Sequence, residues 1–274
     1  MQTTNVHVVF FSATFTTRSI ARRIASAMGA RAVEHDITAG WGAEPVPAFG
    51  RGDVLLAAVP VYAGRVPAPA AAALRRLRSG GAPAVAVCVY GNRDYDDALL
   101  ELCDLLADGG FSVVGAGAFV ARHSIFPMVA AGRPDAADMA RADVFGAECA
   151  SLMASLAPGD RLSPPRVKGN RPYRQPGSLH LHPTTATAGC TLCGLCAAQC
   201  PFGAIPAASP ASTDAALCMA CGRCIAVCPQ HVRGYYNNVY EATADKFGKA
   251  FAVRREPEWV MAARQADNEV ENIG

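Results

Sequence analysis

The sequence predicts an α/β protein with a doubly wound, five-stranded parallel sheet, followed by a small α+β domain. Three observations support this prediction. Five short apolar runs lie among helical patterns in the first 157 residues. Polar loops follow three of these runs directly. Two copies of one cysteine motif then stand close together between residues 190 and 229.

The apolar runs are typical of parallel strands that are buried on both faces. VHVVFF at 6–11 and DVLLAAV at 53–59 contain almost no polar residue. The first helical pattern places Ile20, Ile24 and Met28 on one face and ends at Gly29. The predicted strands are 6–11, 32–36, 53–59, 84–89 and 111–120, and the later predicted helices are 68–78, 96–107 and 134–156.

Composition excludes several classes of protein. The chain has 274 residues, 51% of them hydrophobic, and a net charge of +2, so it lacks the basic footprint of a nucleic-acid-binding protein or a polybasic membrane anchor. No apolar run is long enough to predict a membrane span, and no secretory leader is evident. We therefore expect a cytoplasmic protein, with no nucleic-acid partner, from an organism that lives at low oxygen.

The strongest signal is a repeated cysteine motif. CTLCGLCAAQCP at 190–201 and CMACGRCIAVCP at 218–229 both have the spacing C-x2-C-x2-C-x3-C-P, which two-cluster ferredoxins use to bind [4Fe–4S] clusters. A zinc site needs neither the third cysteine nor the Cys-Pro pair, and disulfide scaffolds belong to small secreted chains. The two complete motifs therefore predict two clusters. In such folds the fourth cysteine of each motif ligates the cluster of the other motif. One set is Cys190, Cys193, Cys196 and Cys228, and the other is Cys218, Cys221, Cys224 and Cys200.

Three polar loops follow predicted strands. They are 12–17, 60–67 and 90–95, and the carboxyl ends of parallel strands are where doubly wound folds bind ligands. The 12–17 loop is rich in hydroxyl groups and precedes the first helix, which is a favourable arrangement for binding a phosphate.

These segments resemble a known family. FSATFTT (11–17), VPVYAGRVP (59–67), VYGNRDYDDALLEL (89–102), HS (123–124), AAGRPD (130–135) and the cysteine motifs resemble the flavodoxin–ferredoxin fusion proteins of anaerobic bacteria. The resemblance covers residues 1 to about 232 and implies a flavodoxin-like domain that binds FMN. Ser12, Thr14, Thr16 and Thr17 would then bind the flavin phosphate, and Tyr62, Tyr90 or Tyr95 would stack on the isoalloxazine. The full set of implied flavin contacts is Ser12, Thr14, Phe15, Thr16, Thr17, Pro60, Val61, Tyr62, Ala63, Gly64, Tyr90, Gly91, Asn92, Arg93 and Tyr95.

One residue departs from the family pattern. The family loop reads S-x-T-G-x-T, and here Phe15 occupies the glycine position. Glycine allows a positive φ and a close approach of the backbone to the phosphate. Phe15 would either be strained at a positive φ or adopt an ordinary φ and cover the flavin.

The chain divides into four predicted segments. They are a flavodoxin-like domain (1–157), a proline-rich basic linker (158–185), a two-cluster domain (186–232) and a C-terminal extension (233–274). Prolines from Pro158 to Pro183 exclude helix from the linker, which is either a solvated tether or a basic strip that docks an acidic redox partner. The extension is too aromatic to be disordered, so we expect it to pack on one of the domains.

Arg122 and His123 follow the fifth strand and are the candidate catalytic residues. They would stabilise a reduced flavin or protonate a substrate, or they are simply a packing pair. The leading interpretation is an electron carrier that links the clusters, FMN and a redox protein partner. One alternative is an FMN-dependent reductase of a small organic substrate, fed by its own clusters. Another is a dicluster ferredoxin whose flavodoxin-like domain no longer binds flavin and only docks a partner.

Overall fold

The computed structural model describes residues 3–42, 45–50, 52–157, 160–175 and 181–265. Five parallel strands alternate with helices and form a sheet in the order β2-β1-β3-β4-β5. This order is the flavodoxin-like doubly wound order, so the predicted fold class is confirmed. The strands are β1 (Asn5–Phe10), β2 (Arg31–Asp36), β3 (Asp53–Pro60), β4 (Pro83–Tyr90) and β5 (Ser112–Val120), and the helices are α1 (Thr16–Ala27), α2 (Ala68–Leu74), α3 (Ala98–Asp108) and α4 (Ala136–Ser155).

Each face of the sheet has its own hydrophobic core. Alternate residues of β3 point to opposite faces, so Leu55 belongs to the core beneath α2 and α3, and Leu56 belongs to the core beneath α1 and α4. Both side chains are fully buried. Burial on both faces explains why these strands read as continuous apolar runs in the sequence.

Local chemistry sets the helix ends that differ from the expected ones. The predicted fourth helix included Pro134, but α4 begins after Asp135, whose carboxylate accepts a hydrogen bond from the Asp138 N–H in a capping box. The α2 helix ends at Leu74 rather than at residue 78, and Gly80 and Gly81 follow at positive φ. No helix in the described part of the chain is long and apolar enough to cross a membrane.

The C-terminal extension adds a sixth strand that the sequence analysis did not predict. β9 (Glu258–Met261) pairs antiparallel with β5, with Trp259 opposite Gly117. The Trp259 ring stacks on Phe119, and its Nε1–H donates to Glu148 of α4 over 2.6 Å. A Cβ at Gly117 would lie 2.8 Å from the Phe119 ring, so a larger residue there would disturb this packing. The extension therefore packs on the flavodoxin-like domain, and its residues 266–274 lie outside the described residues.

A helix of the same extension covers the loop after β5. α7 (Asn238–Ala250) places Tyr240 and Phe247 against Phe126, with ring centroids 5.7 and 4.6 Å apart. The Tyr240 hydroxyl donates to the Ile125 carbonyl over 3.0 Å. The loop that contains Arg122 and His123 is thus held from outside by aromatic packing.

The basic linker lies along the flavodoxin-like domain. Lys168 pairs with Asp94, Arg171 pairs with Asp104, and Arg174 pairs with Asp96. β6 (Leu162–Ser163) also pairs with β10 (Ala263–Arg264). Residues 160–175 are therefore not a solvated tether, and these three cations already contact carboxylates of the same chain. Pro158 and Pro176 lie outside the described residues.

The cysteine motifs form a compact unit with internal pseudosymmetry. Each motif contains one short helix, α5 (Leu195–Ala198) or α6 (Arg223–Ala226), and β7 (Thr184–Thr185) pairs antiparallel with β8 (Arg233–Gly234). A 3-10 turn at Thr187–Gly189 leads into the first motif. The unit contacts the large domain through Phe202, whose ring lies 6.3 Å from that of Phe11.

We expect Trp259→Ala to lower the free energy of unfolding by roughly 2–3 kcal/mol, because it removes a large ring packed between β5 and α4. Val260→Ala is the matched control, since Val260 lies on the opposite face of β9 and is 41% exposed. Urea unfolding of the two variants measures the difference. Equal losses of stability would contradict a packing role for Trp259.

Candidate functional site

The eight motif cysteines lie in two groups of four, each around its own small cavity. We call Cys190, Cys193, Cys196 and Cys228 the outer cysteine group, and Cys200, Cys218, Cys221 and Cys224 the inner cysteine group. Each group combines three cysteines of one motif with the fourth cysteine of the other, which is the grouping that the spacing predicted. All eight are free thiols.

The backbone around both groups follows the same course. Positive φ angles recur two, four and thirteen residues after the first cysteine of each motif, at Leu192, Gly194 and Gly203 and again at Ala220, Gly222 and His231. These turns direct N–H groups at sulfur: Ala220 donates to Cys218 Sγ over 3.4 Å, and Ala204 donates to Cys200 Sγ over 3.3 Å. Such donors favour thiolate ligands and bridging sulfides, so the donor set fits a cluster.

The thiols differ in their acidity. Burial raises the pKa of Cys221 to about 12, so this side chain stays protonated until a metal displaces its proton. For Cys228, burial raises the pKa, but backbone N–H donors at residues 230–233 outweigh it and lower the pKa. Burial also raises the pKa of Cys196, Cys218 and Cys224, and the positive charge of Arg233 opposes that rise in all three.

The inner cysteine group lies directly against the 12–17 loop, which follows β1. Arg223 Nη1 donates to the carbonyls of Ser12 and Ala13 over 3.4 and 3.3 Å. A Cβ on Gly222 would lie 3.2 Å from the Thr14 side chain. Cys221 is buried in the core that contains β1 and β3. The contact between the two domains is therefore close packing rather than loose apposition.

A cavity of about 540 Å³ opens at the carboxyl ends of β1, β3, β4 and β5, and we call it the sheet-edge cavity. The large domain supplies most of its lining. Residues Ala215, Ala216, Cys218, Met219 and Ala220 of the cysteine unit supply the rest. This volume lies in the range of small-molecule and cofactor sites, roughly 300–1,000 Å³. Cys218 borders both this cavity and that of the inner cysteine group.

Most of the residues proposed for flavin contact come together here. Three threonines of the 12–17 loop line the cavity, and Tyr62 and Tyr90 belong to the 60–67 and 90–95 loops. Burial raises the pKa of both tyrosines, that of Tyr90 to about 12, so both phenols remain neutral donors at physiological pH. The lining contains Thr14, Thr16, Thr17, Pro60, Val61, Tyr62, Ala63, Tyr90, Gly91, Arg122 and His123 from the predicted set.

Six predicted flavin contacts lie outside this lining: Ser12, Phe15, Gly64, Asn92, Arg93 and Tyr95. Ser12 is buried, and its Oγ accepts the Arg18 N–H over 3.1 Å, so the hydroxyl group caps the start of α1. Gly64 packs against Asp96, and Arg93 forms an ion pair with Asp96.

The C-terminal extension and the linker explain two of these displacements. The Asn92 side-chain amide donates to the carbonyls of Phe251 and Val253 and accepts from the Arg255 N–H. Tyr95 is buried against Tyr90 and Lys168 rather than against the cavity. Asn92 binds the extension and Tyr95 contacts the linker. Sequence spacing could not predict either contact, because both partners are distant in the chain.

Phe15 has a positive φ, which is the strained one of the two conformations expected from the sequence. Its φ is 67°, in the left-handed region where the family has glycine. The ring does not cover the sheet-edge cavity: it is 45% exposed and lies 4.7 Å beneath the Arg223 guanidinium. The side chain thus contacts the cysteine unit, and a cation–π contact offsets part of the backbone strain.

Arg122 and His123 line the sheet-edge cavity and also a second cavity of about 500 Å³, which we call the side cavity. The N–H groups of Ile125 and Phe126 lie 3.2 Å from His123 Nδ1 and donate to it. Burial, with a smaller effect of Arg93, lowers the pKa of His123 to about 4. The imidazole is therefore neutral at physiological pH and carries its proton on Nε2.

Sequence reasoning missed three contributors to this site. The sheet-edge cavity is lined in part by Ala215, Ala216, Met219 and Ala220. Arg223 bridges the two domains, and Arg233 is buried beside the outer cysteine group. The signal for Arg233 was present, because it occupies a position where the first motif has the apolar Ile205. Nothing in the sequence indicated the first two, since each depends on how the domains meet.

Comparison with known families finds one match. Residues 189–233 match a family described as a 4Fe-4S dicluster domain. Together with the grouping of the cysteines, this shows a ferredoxin-type 4Fe-4S domain in the C-terminal region. No curated protein matches the chain.

Solved structures with some similarity include flavodoxins and oxidoreductases. A flavodoxin of Streptococcus pneumonia TIGR4 is 21% identical over 54% of this chain and 99% of its own, with a TM-score of 0.40. The apo form of the NADH:FMN oxidoreductase EMOB is 18% identical over 57% and 92%, with a TM-score of 0.42. Rubredoxin oxygen:oxidoreductase of the anaerobe Desulfovibrio gigas is 14% identical over 57% of this chain and only 38% of its own, with a TM-score of 0.40. The fold class follows from the strand order rather than from these similarities.

We expect Phe15→Gly to be more stable than Phe15→Ala by about 1 kcal/mol, because both lose the ring but only glycine adopts φ 67° without strain. Urea unfolding of the two cluster-loaded variants measures the difference. An alanine variant as stable as the glycine variant would show that the loop relaxes.

The lowered pKa of His123 predicts acid sensitivity. The folded state favours the neutral imidazole of His123, whereas the unfolded chain binds a proton there near pH 6.5. The free energy of unfolding is therefore unaffected by His123 well above pH 6.5, and it decreases as the pH drops from 6.5 towards 4. At pH 5.5 the loss is about 1 kcal/mol. The melting temperature of wild type should therefore fall more between pH 7.5 and 5.5 than that of His123→Asn, and equal falls would contradict a buried neutral His123.

Proposed function

We propose that the chain is an electron-transfer iron–sulfur flavoprotein that passes electrons between two [4Fe–4S] clusters and FMN, and on to a redox partner. The observation that supports this most directly is the position of Cys218, which borders both the inner cysteine group and the sheet-edge cavity. A flavin in that cavity would be separated from the inner cluster only by the 218–220 turn. Short separations of this kind favour direct electron transfer.

The chemistry of the cavity fits FMN. Thr14, Thr16 and Thr17 offer hydroxyl groups at the start of α1, where backbone N–H groups and the helix dipole favour a phosphate. Tyr62 and Tyr90 provide aromatic surface on the 60–67 and 90–95 loops. FMN accepts one or two electrons and would couple the one-electron clusters to a two-electron step.

The two clusters would have different roles. The inner cysteine group is packed against the large domain, whereas Cys193 of the outer group is exposed. Leu192, beside the outer group, is 62% exposed and offers apolar surface to a partner. We propose the order redox partner, outer cluster, inner cluster, FMN, with no direction of flow assigned.

A second candidate function is reduction of a small organic substrate by FMN. The side cavity supports it, since it adjoins the sheet-edge cavity and shares Thr14, Arg122, His123, Ser124 and Ile125 with it. A substrate there would meet the exposed Arg122 and the neutral His123 side by side. The pKa of His123 makes it a hydrogen-bond donor through Nε2 rather than a cationic acid.

The first test is an anaerobic titration of the cluster-loaded protein with FMN, followed by quenching of flavin fluorescence. We expect stoichiometric binding. Thr16→Val should weaken FMN binding by about ten-fold or more, because it removes a hydrogen bond to a charged phosphate. Riboflavin, which lacks the phosphate, is the matched control and should bind both proteins alike.

The outcomes separate the candidates. No binding at micromolar FMN would leave the chain as a dicluster ferredoxin whose large domain only docks a partner. If FMN binds, reduction through an added protein donor distinguishes the proposed order: Cys221→Ser, which removes an inner ligand, should stop flavin reduction while FMN still binds. Flavin reduction at the wild-type rate in that variant would contradict the proposed path.

A further inference from the structure

Arg233 is a buried cation whose acceptors are neutral. It begins β8 and is 3% exposed. Its Nη1 donates to Thr185 Oγ1 over 2.6 Å and to the Ala211 carbonyl over 3.2 Å, and its Nη2 donates to Thr213 Oγ1 over 2.8 Å. These hydrogen bonds fix the guanidinium in place, but none of them neutralises its charge.

The segment of chain around this residue contains a single carboxylate. Asp214 is the only acidic residue between residues 181 and 237, and its side chain is exposed and accepts the Ala216 N–H. Within the described residues, Arg233 forms no ion pair, and its Nε is buried without a hydrogen-bond partner. A buried, unpaired charge is strongly unfavourable, so a counter-charge is expected from a bound group.

Both cysteine groups border Arg233. The residue lines the cavity of the outer group, and β8, which begins at Arg233, contacts α6, the helix that contains Cys224 of the inner group. A [4Fe–4S] cluster with four thiolates has a net charge of about −2 when oxidised and about −3 when reduced. Two such anions would supply the charge that the polypeptide lacks.

The internal pseudosymmetry shows that the buried cation is present in only one of the two motifs. Arg233 lies five residues after Cys228, and the equivalent position five residues after Cys200 is Ile205. Ile205 is 5% exposed, so both positions are buried in the cysteine unit. The first motif therefore shows that an apolar side chain fills this position, and the cation is an addition in the second motif alone.

We propose that Arg233 is the shared counter-ion of the two clusters, which raises both reduction potentials and is itself stabilised inside the protein by cluster binding. The inference rests on the proposed presence of two clusters. A cation stabilises the more negative, reduced form of a nearby cluster more than the oxidised form, so its presence raises the potential. One charge between two clusters acts on both.

The test is an anaerobic redox titration of the full chain, reconstituted with iron and sulfide and followed by electron paramagnetic resonance. Arg233→Ile, which copies the first motif, should shift both cluster potentials in the negative direction. Arg233→Lys is the matched control because it keeps the charge, and its potentials should stay close to those of wild type.

Each outcome has a distinct meaning. Unchanged potentials in Arg233→Ile with both clusters present would overturn the proposal, as would equal shifts in the Ile and Lys variants, which would indicate a packing role. If Arg233→Ile does not assemble clusters, assembly in Arg233→Lys would support the counter-ion role, and its failure in both variants would overturn it. Failure of wild type to assemble two clusters would instead refute the proposed function.

Discussion

The packing of the inner cysteine loop against the loop after β1 is the contact on which the rest of the site depends. Gly222 lies against Thr14, and Arg223 donates to the carbonyls of Ser12 and Ala13. Because Gly222 has φ +78°, the short helix α6 begins directly at this contact and brings Cys224 with it. One turn of chain therefore positions both the inner cysteine group and one wall of the sheet-edge cavity.

This contact also explains the departure at residue 15. In a flavodoxin-like domain that stands alone, glycine at the left-handed position is favoured because it has no side chain to strain. Here the ring of Phe15 meets the Arg223 guanidinium at 4.7 Å. Interaction with the second domain thus compensates for a residue that would be unfavourable in the first domain alone. The linker and the extension are held on the large domain by hydrogen bonds to Asn92, Asp94 and Asp97.

Sequence reasoning was most successful where the determining forces are local. The apolar run of β3 predicts its own burial, and the spacing from Cys190 to Cys200 defines its own turn geometry. It failed where a residue's role is set by a distant segment. Glu258–Met261 is a four-residue stretch with alternating exposure, which becomes a strand only because the edge of β5 is available to it. Asn92 has turn chemistry in the sequence, yet its side chain binds residues 251–255.

The two cysteine motifs share their backbone conformation but not their charged side chains. The backbone turns position the cysteines, and the extra charges of the second motif serve another purpose. Equal turns at Gly194 and Gly222 are enough to place the cysteines of both groups. The second motif adds two arginines: Arg223 at the domain contact and Arg233 between the cysteine groups. Since the first motif has Leu195 and Ile205 at the equivalent positions, neither cation is needed to form the turns. Their positions instead follow the proposed electron path, one at the junction between the clusters and the other at the junction with the flavin domain.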